Sequence, residues 1–238
     1  MGVRKGHMRE QMSGDIGIVA IGSPAGRRHA AFTLIEIVIA VAIIATLVVL
    51  GAMRFERWRQ GEAVKSAARS VQGAFSYARS EARRTGNNQL VLFQTDISGN
   101  DLLDDSGNKV PILVLNDGRP GSANQNCVID AGEPIHVVRM ERGVSWGANT
   151  AGSKVGIDEG TGPHTSGSTF VDSAGNDATW VLFLPNGTPR AVDAACTAGP
   201  LGSGAGGIYL KSAVRDAAVV LTPLGATRVV IWGGGMWN

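Results

Sequence analysis

Signatures of catalysis and metal binding are what this sequence has least of. Among 238 residues there are only two cysteines, Cys127 and Cys196, and neither stands in a Cys-x-x-Cys or Cys/His spacing, which excludes a zinc finger. No GxSxG, HExxH or Walker sequence occurs, and only His136 and His164 lie beyond residue 31, so a hydrolase site has little to stand on. Net charge is also scarce. The formal value is +2, and the excess sits in an N-terminal stretch carrying Arg4, Lys5, Arg9, Arg27 and Arg28. The remainder is close to neutral and offers no broad electrostatic surface for nucleic acid.

Glycine, by contrast, is abundant. Its 33 residues are about twice the average share, and most fall beyond residue 85 beside Ser, Asn, Asp and Thr, as turns between short strands would require. The length fits one folded head with an appended element. If that head is exported, Cys127 and Cys196 are a candidate disulfide closing a long loop, worth roughly 2 to 4 kcal/mol. Two unpaired thiols are the alternative.

The appended element is plain in the sequence. From Ala30 to Met53 only Thr33, Glu36 and Thr46 have polar side-chain atoms. A bilayer core needs about 20 apolar residues in a helix, whereas a secretory signal core has about 7 to 15, so the length indicates an anchor. Ala40-x-Ala42 leaves an ordinary signal-peptidase site as the alternative. Arg27 and Arg28, just before the run, keep the N-terminus cytoplasmic and send the head outward, although Arg54, Arg57 and Arg59 stand on the far side. Glu36 is the anomaly, because a carboxylate within a membrane helix costs about 2.5 to 3.5 kcal/mol on insertion scales. Either it is neutralised or snorkels, or a cation offsets it; an α-amino group created at Phe32 is one candidate, paired with Glu36 of a neighbouring subunit.

Arg27-Arg28-His29-Ala30-Ala31 followed by Phe32-Thr33-Leu34-Ile35-Glu36 resembles the leader junction of type IV pilins and type II secretion pseudopilins. The resemblance implies that prepilin peptidase cuts between Ala31 and Phe32, that Phe32 is then N-methylated, and that Glu36, the fifth mature residue, supports assembly. Ala31 stands where the family usually has Gly. Residues 1–31 are then a leader, with Met8 or Met12 as alternative starts.

Beyond Met53, Val64, Ala67, Ala68, Val71, Ala74, Phe75, Ala78 and Ala82 recur at spacings of three and four, giving one small, apolar helical face. Thr85-Gly86-Asn87 supplies the stop. The spacing predicts a helix from Phe32 to about Arg84, with residues 32–53 as the transmembrane or filament-core half and 54–86 as an amphipathic half. Gly51 and Gly61 are points of expected bending. The amphipathic half is expected to dock on a sheet, with a coiled coil as its competitor. Strands are expected at Gln89 to Gln94, Ile112 to Leu115, Ile135 to Arg139, Thr179 to Leu184, Gly207 to Lys211, Ala218 to Leu221 and Arg228 to Trp232. Residues 87–238 therefore read as a β-rich head, and the whole as an α+β fold.

Tyr77-Ala78-Arg79-Ser80-Glu81-Ala82-Arg83, then Phe183-x-Pro185-x-Gly187 and Leu221-x-Pro223-x-Gly225, look like the minor subfamily called GspH or FimT. That resemblance implies a pilin-like fold, a long helix packed on two antiparallel sheets. It also implies a minor subunit near the tip of a type IV pilus or secretion pseudopilus, with its head in the periplasm before assembly. Its partners would be other pilin subunits, prepilin peptidase and the inner membrane. Some FimT-like subunits bind DNA through a C-terminal Gly-Arg-x-Arg; here Gly225-Ala226-Thr227-Arg228 keeps Arg228 alone, so DNA is the alternative partner through few phosphate contacts.

Three further patterns carry less. Gly202, Gly204 and Gly207 spell G-x-G-x-x-G, yet Ile208-Tyr209-Leu210 continues as a strand, not as the helix a pyrophosphate needs. Asp101, Asp104 and Asp105 in one loop, and Asn126, Asp130 and Glu133 in another, offer hard oxygens of the kind calcium takes, without an EF-hand spacing; solvated acidic turns are the simpler reading, and no cofactor is expected. His136 alternates with apolar neighbours as a strand residue. The remaining alternative is an exported enzyme on a simple anchor.

Overall fold

The structure, a computed structural model, describes residues 33–157 and 160–238. The chain divides into two units, residues 1–47 and 48–238. Its first element is α1, Leu34–Thr85. Thr33 starts it as an N-cap: its hydroxyl accepts the Glu36 amide at 3.3 Å and its carbonyl the Ile37 amide at 3.2 Å. Thr33 and Glu36 thus stand at the spacing of a capping box, with the carboxylate in the first turn where the helix dipole favours it. Gly86 ends the helix at φ +70°, its amide reaching the Ala82 carbonyl at 3.0 Å. Gly51 and Gly61 lie within uninterrupted helix.

Among the described residues, the second unit is built of nine antiparallel strands. They are β1 (Gln89–Phe93), β2 (Ile112–Asn116), β3 (Ile135–Val138), β4 (Ser145–Trp146), β5 (Trp180–Phe183), β6 (Pro189–Arg190), β7 (Gly206–Lys211), β8 (Asp216–Leu221) and β9 (Thr227–Ile231). One sheet has the order β3-β2-β1-β5-β6 and the other β4-β7-β8-β9. All seven expected strands are present with ends shifted by at most two residues. The two that sequence reading missed, β4 and β6, are two residues each, too short to show an alternation.

The eight expected stripe residues of α1, Val64 to Ala82, are all buried, and the stripe packs on both sheets. From the first sheet it meets Val91, Phe93, Val114 and Phe183; from the second, Ile208, Leu210, Val219 and Leu221. That contact leaves the stripe no face for a coiled-coil partner. The stripe's alanines allow close approach, and its one large side chain, Phe75, stands edge-on to Phe93 and Phe170 with centroids at 5.4 and 6.1 Å.

Both sheets are covered on the other face too, which explains why their strands read as continuous apolar runs. Leu90, Leu92, Leu113 and Leu182 pack under Leu102, Val110, Val192 and the cysteines. Tyr209, Ala218, Val220 and Val230 pack under Val155 and Trp237.

One tight turn is used four times. In Asp96–Asn100, Asp104–Asn108, Asp172–Asn176 and Asp193–Thr197 the first Asp accepts the amides two and four residues on, at 2.8 to 3.0 Å. The fourth position needs a left-handed backbone; Gly99, Gly107 and Gly175 supply it in three turns and Cys196, at φ +60°, in the fourth.

Candidate functional site

The N-terminal segment combines the features of an assembly element. From Leu34 to Leu50 the large apolar side chains of α1 are exposed, Leu34 by 81% and Ile44 by 60%, and Glu36 is the only ionisable residue among them. A soluble protein would not leave such a run open to water. α1 is long and apolar enough to cross a membrane. Ala31 and Phe32, the expected processing residues, lie outside the described residues.

The residues that suggested the GspH/FimT likeness come together as a clamp between α1 and the sheets. Arg79 donates from Nη1 to the Gly225 carbonyl at 2.8 Å and from Nη2 to the Leu224 carbonyl at 3.2 Å, holding the β8–β9 turn. Arg83 donates from Nε to the Asn186 carbonyl at 3.2 Å, holding the β5–β6 turn. Gly187 and Gly225, at φ +77° and +80°, are the left-handed residues of those turns, and a Cβ on Gly187 would run into the Arg83 guanidinium. Ala78 and Ala82 face the core between the arginines, while Tyr77 stacks on His136 of β3 at 4.1 Å between centroids.

Arg228 lies elsewhere. It is exposed on β9, whereas its neighbour Thr227 turns to the helix side and accepts a hydrogen bond from Gln72 Nε2 at 3.3 Å. Arg228 instead lines an outer cleft with Trp232, Met236 and Trp237. The structure does not bring it together with Arg79 or Arg83 in one basic surface.

Cys127 and Cys196 form a disulfide across 69 residues, with Cα atoms 5.4 Å apart. Beside it is a residue that sequence reading passed over as loop, Asp117. Its side chain is fully buried; Oδ1 accepts the amides of Cys127 at 2.7 Å and Asn126 at 3.2 Å, and Oδ2 lies 3.5 and 3.7 Å from the two sulfurs. Burial pushes its carboxyl up to about 6, against the pull of the two amides, with Glu133 and Asp130 adding repulsion. With the sulfurs joined, no thiolate is left to hold a metal there. Asp216 is a second buried acid missed at the sequence level: Oδ2 gathers the amides of Asn149, Thr150 and Ala151 and the Thr150 hydroxyl at 2.6 to 3.0 Å.

The acidic loops engage much of their own charge. Asp104 spends its carboxylate on its turn, the Asn108 amide foremost among the donors that hold its pKa below the usual range. Asp101 pairs with Lys109, while Asn126 Nδ2 bonds Asp130 at 2.8 Å and the Asp130 amide bonds Glu133 at 3.1 Å. The Gly202–Gly207 segment leads into β7, a strand. His136 is on β3, and His164 contacts the Ala151 carbonyl at 3.2 Å through Nε2.

A family model described as the prokaryotic N-terminal methylation motif matches residues 26–52. The match supports a type IV pilin-like protein, one processed by prepilin peptidase and associating with other pilins, and a structural role over an enzymatic one. It is consistent with membrane anchoring. No curated protein and no solved structure matches the chain significantly.

Proposed function

We propose that the chain is a minor pilin or pseudopilin of the GspH/FimT kind, assembled at or near the tip of a type II secretion pseudopilus or type IV pilus. The observation that carries the reading is the methylation motif running directly into an exposed apolar helix with a single acid at Glu36. In this reading the precursor sits in the inner membrane with its head in the periplasm, is cut between Ala31 and Phe32, and is methylated on Phe32. The new α-amino group is cationic near neutral pH, with a reference pKa of about 8. Pairing it with Glu36 of a neighbour offsets the expense of a carboxylate in an apolar bundle and sets the axial register between subunits.

Mass spectrometry of the protein recovered from membranes tests the processing. A methylated N-terminal Phe32 is expected; an intact leader, or a terminus after Ala42, would remove the reading. Glu36→Ala is expected to leave membrane insertion intact and to abolish incorporation into the filament.

DNA capture is a second reading, favoured by one observation: Arg228 is exposed beside Trp232 and Trp237. A guanidinium next to indole faces suits a stacked, flexible strand. A salt-sensitive gel shift that Arg228→Ala abolishes is the expected result, and no shift at low salt ends this reading.

A further inference from the structure

The apolar run of α1 stops at Met53, and the next two turns of the helix are neither random in composition nor fully satisfied. Arg54, Arg57, Trp58 and Gly61 fall at spacings of three and four on one side of the helix. Facing them is the β7–β8 turn, Ser212–Arg215, and the two together enclose a cleft of about 960 Å³ lined by Arg54, Arg57, Trp58, Val214 and Arg215. The turn is held firmly: the Ser212 hydroxyl accepts the amides of Val214 and Arg215 at 3.3 and 3.2 Å, and the Ser212 amide reaches the Arg215 carbonyl at 2.9 Å.

The charges in this cleft are unbalanced in a specific way. Its two acids are already engaged by groups on the same helix, Glu56 by Arg59 and Gln60 at 3.2 and 3.1 Å and Glu62 by Lys65 at 2.6 Å. Arg54, Arg57 and Arg215 form no ion pair among the described residues. Three guanidiniums therefore line one cleft without an ion pair of their own, Arg215 only near enough to Glu62 to help lower its pKa, and Arg is the side chain best shaped to bind phosphate oxygens in pairs. Next to them, Phe55 and Trp58 are about 60% exposed with ring centroids 5.7 Å apart. Exposed aromatics just past the end of an apolar run are the pattern of a membrane–water boundary. Val214, at the tip of the facing turn, is exposed as well.

We propose that this cleft binds the phosphate headgroup of an anionic phospholipid, with Arg54, Arg57 and Arg215 taking the phosphate and Phe55 and Trp58 seated at headgroup level. The proposal rests on the reading of the chain as membrane-anchored. Its consequence is that the turn end of the head is tied to the lipid surface in the membrane-resident subunit, and that leaving the membrane for a filament requires giving up this contact.

The test uses the full chain purified in dodecyl maltoside. Native mass spectrometry is run with added phosphatidylglycerol or phosphatidylcholine of the same acyl chains. Retention of phosphatidylglycerol is expected to exceed that of phosphatidylcholine by at least tenfold, and the triple variant R54Q/R57Q/R215Q to lose that excess. R215Q alone, which leaves the helix unaltered, is expected to lower retention about fivefold. A control of equal charge change, K109Q/R119Q/R139Q, is expected to retain the lipid as the wild type does. Equal retention of the two lipids, no loss in the triple variant, or the same loss in the control would overturn the site. Extraction of membranes at high pH separates the two levels: a wild-type chain that leaves the membrane refutes the anchor, whereas a chain that stays but shows no lipid preference refutes the headgroup site alone.

Discussion

Asp117 makes the stability of the head depend on pH in a direction opposite to that of most acids. Its carboxyl has a folded value of about 6 against an ordinary 3.8, because burial beside the disulfide disfavours the charged form more than two backbone amides favour it. Between those two values the folded state holds the proton and the unfolded state has lost it, so stability falls as pH rises through the window and levels off above it. At about 1.4 kcal/mol per unit of pKa, the charged form lowers stability by roughly 3 kcal/mol at pH 7.5 relative to a neutral side chain, and roughly half of this is recovered at pH 5. Asp117→Asn keeps the shape and an acceptor for the amides without the titration. The difference in unfolding free energy, wild type minus Asp117→Asn, is therefore expected to rise by between about 1 and 2 kcal/mol from pH 7.5 to pH 5. Urea unfolding of the full chain in a mild detergent, followed by tryptophan fluorescence with the disulfide intact, measures it. Glu133, whose carboxyl burial also raises, faces Asp117 in both proteins, so its own titration largely cancels in the difference. A difference that stays flat over this range, or that falls on acidification, would refute the assignment of a buried, strained charge.

Four other substitutions test the packing, the second buried acid and the clamp. Phe75→Ala removes the one large side chain of the helix stripe from between the two sheets, where it is 1% exposed, and is expected to destabilise the head by about 3 to 5 kcal/mol in the same urea assay. Asp216→Asn takes the negative charge from an oxygen that gathers four donors; a loss of about 1.5 to 3 kcal/mol is expected, with faster amide exchange at Asn149 to Ala151. Gly187→Ala sets a methyl at φ +77° against the Arg83 guanidinium and is expected to cost about 1 to 2 kcal/mol, while Asn186→Ala keeps the backbone acceptor of Arg83 but removes the Oδ1 that takes the Thr188 amide and hydroxyl at 2.9 and 2.7 Å, and is expected to cost about 0.5 to 1.5 kcal/mol.

The helix and strands were legible because their signal is periodic and local. Eight apolar positions at spacings of three and four predict a buried face, and all eight are buried. The apolar runs from Gln89, Ile112 and Ala218 predict strands, and a strand is found at each. What was not legible depends on contacts between residues far apart in the chain. Asp117 looks like any acid in a Gly-rich loop until the chain near residue 127 and residue 196 folds over it. Asp216 looks like the polar start of a strand until residues 149–151 wrap around it. The loop of Asp104 was legible as an acidic turn, yet calcium stayed open as an alternative, because a sequence shows the oxygens and not the amides that already occupy them.

The same distinction explains why the Tyr77–Arg83 segment and the two x-Pro-x-Gly turns occur together. The β5–β6 turn belongs to the first sheet and the β8–β9 turn to the second, and α1 grips one with Arg83 and the other with Arg79, four residues apart on one side of the helix. Neither arginine touches an acid there. Each donates to backbone carbonyls, so the clamp is indifferent to which residues fill the turns, provided a glycine lets the chain reverse. If α1 is the part that neighbouring subunits hold, as proposed, a pull on it reaches both sheets through these hydrogen bonds and through the buried stripe between them, and neither sheet can peel away alone. A clamp of this kind suits a subunit loaded along its helix, and it accounts for the turn glycines and helix arginines without assigning them a ligand.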